Sequence, residues 1–287
     1  CNRLDATPYQ SGGVYIVGDT GFEMYNYVDS LAKNYGEIVT SVADQLSGVS
    51  TVYALAVPLS SGITLPDALY SDIPGSDQAQ AEKDILAAMG KNVKTVPLHD
   101  VMMSHRGEYI YFRTDHHWTS LGAYYAYCAW RGIEPNADEW TQEILCDNFH
   151  GTTWNKVPLP TVPAEEITAW YKHINRSVSY NNGQYETDSI YERKYLSGSD
   201  QYAVFLNSNQ AQTVIEGSGK SGKLLLIKDS YGNTFSQFPV EDYAEVHVLD
   251  LRFFKGDVTE YAKENGITDT LVLYGTQSLV KDTRLRF

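Results

Sequence analysis

Three things are scarce in this 287-residue chain: cysteine, basic charge and long apolar runs. The three cysteines, Cys1, Cys128 and Cys146, fall at irregular spacing. That excludes a disulfide-framed miniature fold and the paired-cysteine pattern of a structural zinc site. Cys128 and Cys146 are expected as buried free thiols, with a disulfide between them as the alternative in an oxidising compartment. Lys and Arg number 22 against 36 Asp and Glu, a formal charge of −14. This balance speaks against nucleic acid or an anionic membrane surface as partner. It disfavours polyanionic glycans only weakly, because a local arginine cluster overrides net charge. No apolar run reaches the length that spans a bilayer. With 43% hydrophobic and only 20% charged residues, the chain has the composition of a globular protein with ample length for a buried core.

Taken in order, the chain alternates strands and helices, breaks, and resumes. Residues 1–13 read as a polar leader. Its Cys1 fits either the lipid-bearing cysteine of a processed bacterial lipoprotein or the remnant of a removed membrane anchor. Gly13 to Asp19 reads as a hairpin-like entry strand with a turn at Gly18 to Gly21. Met24 to Leu46 carries Val28, Leu31, Ala32, Tyr35, Ile38, Val39, Val42 and Leu46 at helical spacing. Thr51 to Val57 is a continuous apolar run of the kind buried on both faces of a parallel sheet. A helix is expected from Ser76 or Asp77 to Met89, and a strand from Val93 to Leu98. Residues 133–220 break the rhythm with Pro158, Pro160 and Pro163, then Tyr171, Tyr180, Tyr185, Tyr191, Tyr195 and Tyr202 among Asn, Gly and Ser. This composition favours hairpins and loops. Such tyrosines serve as ordinary hairpin packing or, if exposed, as platforms for sugar rings. From Lys223 the strands Leu224 to Ile227, Glu245 to Leu251 and Thr270 to Tyr274 alternate with helices, one carrying the capping pattern Asp257-x-x-Glu260. The expectation is a single α/β domain over 1–287. Its core is 14–132 and 221–287, a mainly parallel sheet flanked by helices, and 133–220 is an irregular, Tyr-rich, β-rich insertion.

The stretch with most chemistry is Tyr111-Phe112-Arg113-Thr114-Asp115-His116-His117-Trp118-Thr119. Thr119 or Ser120 is a suitable N-cap for a helix whose stripe is Leu121, Tyr124, Tyr125, Cys128 and Ala129, ending at Gly132. If the preceding residues are extended, Asp115 and His117 share a face, while His116 and Trp118 turn away. An Asp that accepts from His Nδ1–H leaves Nε2 free to take a proton from a nucleophile. The nucleophile candidate is Ser230, in Lys228-Asp229-Ser230-Tyr231-Gly232-Asn233, at the carboxyl end of a strand where α/β sheets bind ligands. A sharp strand-to-helix turn there exposes the hydroxyl, as in a nucleophile elbow, although the G-x-S-x-G pattern is absent. A zinc site built from His116, His117 and His99 or His105 matches no recognised ligand spacing, and nothing in the pattern requires a cofactor.

Asp115-His116-His117-Trp118, Lys228 to Phe235, Val248 to Phe254 and, more loosely, Gly13 to Ile16 resemble the DHHW family of bacterial proteins. That family is related to the SGNH-hydrolase-like proteins of alginate and other exopolysaccharide O-acetylation. The resemblance spans most of the chain. It implies an SGNH-like fold and a triad carried by Asp115, His117 and Ser230, with the Asp-His pair ahead of the Ser. It further implies O-acetyl transfer or ester hydrolysis on a cell-surface or secreted polysaccharide, outside the cytoplasm, often beside a membrane-bound O-acyltransferase. The alternative is a catalytically silent glycan-binding or accessory protein of such a system. Arg113 and Arg252 are candidates to orient substrate, each also fitting a structural salt bridge. The usual Gly and Asn oxyanion blocks have no clear match, which leaves Asn155, Tyr231 and Gln277 as candidate donors or substrate contacts.

Overall fold

The computed structural model describes residues 7–73, 75–157 and 162–281. A small antiparallel sheet opens the fold: Tyr9–Ser11 (β1), Val14–Val17 (β2) and Thr20–Glu23 (β3). Strand β1 lies inside the stretch read as a leader, and Cys1 lies outside the described residues. The hairpin turn is tighter than the expected Gly18 to Gly21: it is Gly18-Asp19, with Gly18 at φ +58° and Thr20 and Gly21 already paired in β3.

Helix α1 covers Asp29–Gln45, five residues later than its apolar spacing predicts. Tertiary packing is the reason: Tyr25 is buried against Leu59 and Ala81, and the chain is still extended at Val28. There follow Thr51–Val57 (β4), Ser60–Ile63 (α2), Gln78–Ala87 (α3), Val93–Val96 (β5) and His99–Ser104 (α4). Asp77 caps α3 by accepting from the Gln80 N–H. Then come Ser120–Arg131 (α5), Thr141–Phe149 (β6), Thr152–Lys156 (α6), Glu165–Tyr171 (β7), Val178–Tyr180 (β8), Tyr185–Thr187 (β9) and Gln212–Glu216 (β10). The chain closes with Lys223–Lys228 (β11), Tyr231–Phe235 (α7), Glu245–Leu249 (β12), Val258–Glu264 (α8), Asp269–Gly275 (β13) and Thr276–Lys281 (α9).

The central sheet has eight strands in the order β5-β4-β13-β11-β12-β10-β8-β9. The first four pairings are parallel and the last three antiparallel. Successive residues of β11 face opposite layers, as a pleated strand requires. Leu224 and Leu226 pack with α5 and α7 on one side, and Leu225 and Ile227 pack with α1 and α8 on the other. The segment 133–220 does more than fill a loop: it adds β8, β9 and β10 to this sheet and forms the separate β6–β7 ribbon. Its tyrosines are mainly packing. Tyr180, Tyr191 and Tyr202 are buried, Tyr171 and Tyr195 half-buried, and only Tyr185 of the six is exposed.

Helix α5 begins and ends as its caps predict, with Thr119 accepting from the Gly122 N–H and Gly132 left-handed at φ +64°. Its buried face is wider than the predicted stripe, because α4, β7 and α7 all pack against it. Ala123, Ala126, Tyr127 and Trp130 are buried with Tyr124 and Cys128, whereas Leu121, Tyr125 and Ala129 sit at the margin. Cys128 and Cys146 are free thiols, Cys128 buried and Cys146 half-buried, and burial pushes both upward from the ordinary thiol pKa.

Trp118 is fully buried, packs on Tyr231 and Phe235, and donates from Nε1 to the Tyr231 carbonyl at 3.1 Å. Trp118→Ala is expected to cost about 3–5 kcal/mol in urea unfolding, the range for large core aromatics. Trp118→Phe, which retains most of the packing but strands one carbonyl, should cost about 1–3 kcal/mol. Equal losses for the two would mean the hydrogen bond, not the packing, is what Trp118 supplies.

Candidate active site

Residues 112–117 form a closed loop between Tyr111 and Trp118, which pair across it as an isolated antiparallel bridge. Phe112 N–H donates to the His117 carbonyl, and Thr119 N–H to that of Ile110. The loop is held from beneath by Glu165, the first residue of β7, whose side chain is fully buried. Its Oε1 accepts from Thr114 N–H at 2.9 Å and Thr114 Oγ1 at 2.5 Å, and its Oε2 from Arg113 N–H at 2.8 Å and the Tyr109 hydroxyl at 2.5 Å.

Asp115 and His117 do meet, but not through the extended chain expected from their spacing. The loop turns on itself, so that Asp115 Oδ1 accepts from both the His117 backbone N–H, at 2.9 Å, and His117 Nδ1, at 2.6 Å. This is a local Asx turn of the sort short acidic side chains favour. Oδ2 accepts from the Thr152 N–H at 2.7 Å and the Thr152 hydroxyl at 3.0 Å. The carboxylate is 1% exposed, yet all four contacts favour its charged form. Burial alone would raise its pKa. The adjoining His117 and His116, the His117 hydrogen bond and the Thr152 N–H outweigh that and hold it well below the usual carboxylate range.

Ser230 sits between β11 and α7. The turn is tight enough that a side chain at Gly232 would bring its Cβ within 2.4 Å of Lys228 Cβ. Asp229 ties it down: Oδ1 accepts from the Tyr231 N–H at 3.0 Å, and Oδ2 from the Gly275 N–H at 2.9 Å and Ser278 Oγ at 2.6 Å. Ser230 Oγ does not cap α7. It lies 2.7 Å from His117 Nε2. Because His117 Nδ1 donates to an ionised carboxylate, Nε2 is the unprotonated nitrogen and accepts from the Ser230 hydroxyl. An imidazole so placed can remove the proton of an attacking serine.

Two aromatic neighbours complete the arrangement. Tyr202 lies flat on His117, with ring centroids 3.9 Å apart and planes 6° from parallel. Its hydroxyl donates to the Ser230 carbonyl at 3.1 Å and is 2.5 Å from Thr234 Oγ1. His116 was expected to turn away, yet its ring centroid is 3.8 Å from that of His117, and it lines the same cleft as Ser230. Burial, and then the neighbouring His117, push the His116 imidazole down to about 4.

The cleft beside Ser230 has a volume of about 390 Å³ and is lined by His116, Tyr231, Arg252, Gln277 and the ion-paired Glu23 and Lys156, among others. Arg252 stands in it with its guanidinium braced by Asp250, Nε at 2.8 Å and Nη2 at 2.5 Å. Asp250 in turn holds the buried Lys228 at 3.3 Å. Arg113 is elsewhere: it pairs with Glu165 at 3.2 Å and Asp19 at 3.4 Å and does not line the cleft. Asn155 is exposed and likewise off the cleft. The Tyr231 hydroxyl lies at 2.6 Å from the His116 carbonyl, to which it donates, so both its O–H and its N–H are already engaged. Gln277 lines the cleft, and its Nε2 donates to the Met24 carbonyl at 3.3 Å.

Residue spacing pointed to none of Thr152, Asp229, Glu165 and Tyr202. Their signal is tertiary, apart from Asp229, whose place before Ser230 matches the Asx-turn pattern that Asp115 uses. Asp115, His116 and His117 bring donor atoms within 4.8 Å of one another, though both Asp115 oxygens and both His117 nitrogens are taken up by the hydrogen bonds above. His105 instead stacks on Tyr125, and His99 lies beside Asp100.

The molecule is thus a mixed α/β protein whose mainly parallel sheet, flanked by helices, carries Ser230, His117 and Asp115 in one hydrogen-bonded line at its carboxyl edge. The chain belongs to the DHHW protein family, whose profile matches residues 2–249. The crystal structure of a DHHW family protein from Eubacterium siraeum is similar, with 26% identity, a TM-score of 0.85, and coverage of 96% of this chain and 95% of that one. Bacillus cereus PatB1, solved with a sulfonyl adduct, shares the fold at 17% identity and a TM-score of 0.72, covering 97% of each chain. The O-acetyltransferase domain of Pseudomonas putida AlgJ shares it at 16% identity and a TM-score of 0.53, covering 97% of this chain and 95% of that one. No match was found among curated protein sequences. Among the described residues no helix is long and apolar enough to cross a membrane.

A Cβ added at Gly151 would lie 2.3 Å from Asp115 Cβ and Oδ2. Gly151→Ala should therefore displace the carboxylate, costing about 1–3 kcal/mol in urea unfolding and shifting or abolishing the downfield His117 Nδ1 proton resonance. An unchanged resonance would show that the loop yields without moving Asp115. The His116 imidazole also predicts a pH effect. Its folded pKa of about 4 lies below the unfolded value of roughly 6.5, so the unfolded chain binds the proton first. Stability from this group is full above the unfolded value and is lost as pH falls from there through the folded one. Urea midpoints from pH 7 to 4 should fall less steeply in His116→Asn than in the wild type, and parallel curves would refute it.

Proposed function

We propose that the protein is a serine-dependent O-acetyltransferase or acetylesterase acting outside the cytoplasm on a cell-surface or secreted polysaccharide. The observation that carries the reading is the 2.7 Å contact between His117 Nε2 and Ser230 Oγ, with Asp115 2.6 Å behind the imidazole. In the first half-reaction Ser230 Oγ attacks the acetyl carbonyl as His117 takes its proton, and the imidazolium formed is stabilised by Asp115. The tetrahedral intermediate collapses, the donor's C–O bond breaks, and His117 returns the proton to the leaving oxygen. A sugar hydroxyl or water then attacks the acetyl-serine, gives its proton to His117, and releases Ser230 as the hydroxyl. Gln277 Nε2 and the free edge of the Arg252 guanidinium are the cleft groups suited to the developing oxyanion.

The family relationship favours a glycan acceptor and a membrane-bound O-acyltransferase as source of the acetyl group. The AlgJ domain of the same fold is an O-acetyltransferase, and PatB1 carries a sulfonyl adduct.

The test is a mutant series on p-nitrophenyl acetate, with mass spectrometry for an acetyl or sulfonyl adduct on Ser230. Ser230→Ala and His117→Ala should each lower kcat on the order of 10⁴ to 10⁶-fold, and the double variant little further. Asp115→Asn should be milder but still large. A flat series, with no adduct on Ser230, would mean a catalytically silent, glycan-binding or accessory protein.

A further inference from the structure

His116 stands in the cleft without a role in the proton path just described, and its own proton can be placed by counting. The Thr152 hydroxyl has one hydrogen. It is donated to Asp115 Oδ2 at 3.0 Å, because an ionised carboxylate is the strongest acceptor within reach. The 2.7 Å contact between Thr152 Oγ1 and His116 Nδ1 must then run the other way, with Nδ1–H as donor. The imidazole is neutral near pH 7, since burial and its neighbour hold its pKa at about 4. Its Nε2 is therefore a bare lone pair. That nitrogen makes no hydrogen bond among the described residues, the His116 side chain is 26% exposed, and the residue lines the cleft with Ser230. The ring lies 3.8 Å from that of His117, centroid to centroid, so beside the Nε2 that accepts from the Ser230 hydroxyl there is a second unprotonated imidazole nitrogen, on the one histidine of the pair that lines the cleft. Only one is needed to deprotonate an attacking hydroxyl.

We propose that His116 Nε2 recognises the acyl acceptor, taking a hydrogen bond from a second hydroxyl vicinal to the one that His117 deprotonates. The preferred acceptor is then a vicinal diol, as on an unsubstituted sugar ring, and not an isolated alcohol. This rests on the acetyl-serine reading above. In the transfer step the reacting oxygen forms its bond to the acetyl carbon, the Ser230 Oγ–C bond breaks, and the proton passes through His117 to Ser230. The vicinal hydroxyl keeps its proton throughout and only donates to His116. His116 thus selects and orients, and its loss alters which nucleophile wins the acetyl group.

The measurement is a competition for one acyl-enzyme. The protein is loaded from p-nitrophenyl acetate in an equimolar mixture of cyclohexane-1,2-diol and cyclohexanol, and the ratio of the two acetate esters is read. Because both products branch from the same intermediate, the ratio is independent of how fast that intermediate forms. The wild type should favour the diol by about tenfold beyond the statistical factor, the scale of one net hydrogen bond. His116→Asn offers an amide N–H toward Thr152 but has no acceptor at the Nε2 position, and its ratio should fall to the statistical value. His116→Gln offers a carbonyl oxygen near that position and should recover part of the preference. A wild-type ratio at the statistical value, or an Asn ratio equal to the wild type's, overturns the inference while leaving the acetyl-serine reading intact. Absence of a Ser230 adduct in the wild type overturns both.

Discussion

The arrangement at the sheet edge depends on one buried carboxylate. Asp115 is removed from water and remains charged because every oxygen lone pair it presents is used by a donor from close by: His117 through backbone and ring, and Thr152 through backbone and hydroxyl. An unsatisfied carboxylate at that depth would protonate or drag in water. Satisfied, it fixes the tautomers of two imidazoles at once, His117 directly and His116 by way of the Thr152 hydroxyl. The proton positions at Ser230 and across the cleft are set from this single point.

Assembling this arrangement takes three separated parts of the chain. The loop before α5 brings Asp115 and both histidines. The β11–α7 turn brings Ser230, locked by Asp229 onto the end of β13 and the start of α9. The third part, between residues 133 and 220, brings Thr152 against Asp115, Glu165 beneath the loop and Tyr202 flat against His117. A stretch that reads as peripheral is where the positioning groups come from. It also extends the parallel sheet by three antiparallel strands. Packing and placement are thus one problem here: Tyr202 fills core volume and, through its hydroxyl, holds the Ser230 carbonyl.

The two arginines show how context divides like residues. Both are held by buried acids, Arg113 by Glu165 and Arg252 by Asp250. Arg113 is spent on bracing the loop, while Arg252 is braced from behind and leaves its outer edge in the cleft. Net charge of −14 says little about the cleft, whose lining combines Arg252, the Glu23–Lys156 pair and the neutral His116.

Local pattern was enough for the strands buried on both faces, for the Asp77, Thr119 and Asp257 caps, and for the meeting of Asp115 with His117, though not for the turn that achieves it. These features are written in residues adjacent or nearly adjacent in the chain, where spacing and hydrogen-bonding type restrict the backbone. Local pattern misplaced the start of α1, the buried face of α5 and the direction of His116, because each answers to a partner distant in sequence. Tyr25 is drawn out of helix by Leu59 and Ala81, α5 is covered by three elements at once, and His116 is turned by Thr152. What the sequence determined by itself was which groups could do the chemistry. Which way each ring nitrogen points, which arginine reaches the cleft and which tyrosine backs the histidine were decided only in the tertiary structure. Those choices depend on contacts between residues far apart in the chain, His116 with Thr152, Arg113 with Glu165 and Tyr202 with His117, and no local period records them.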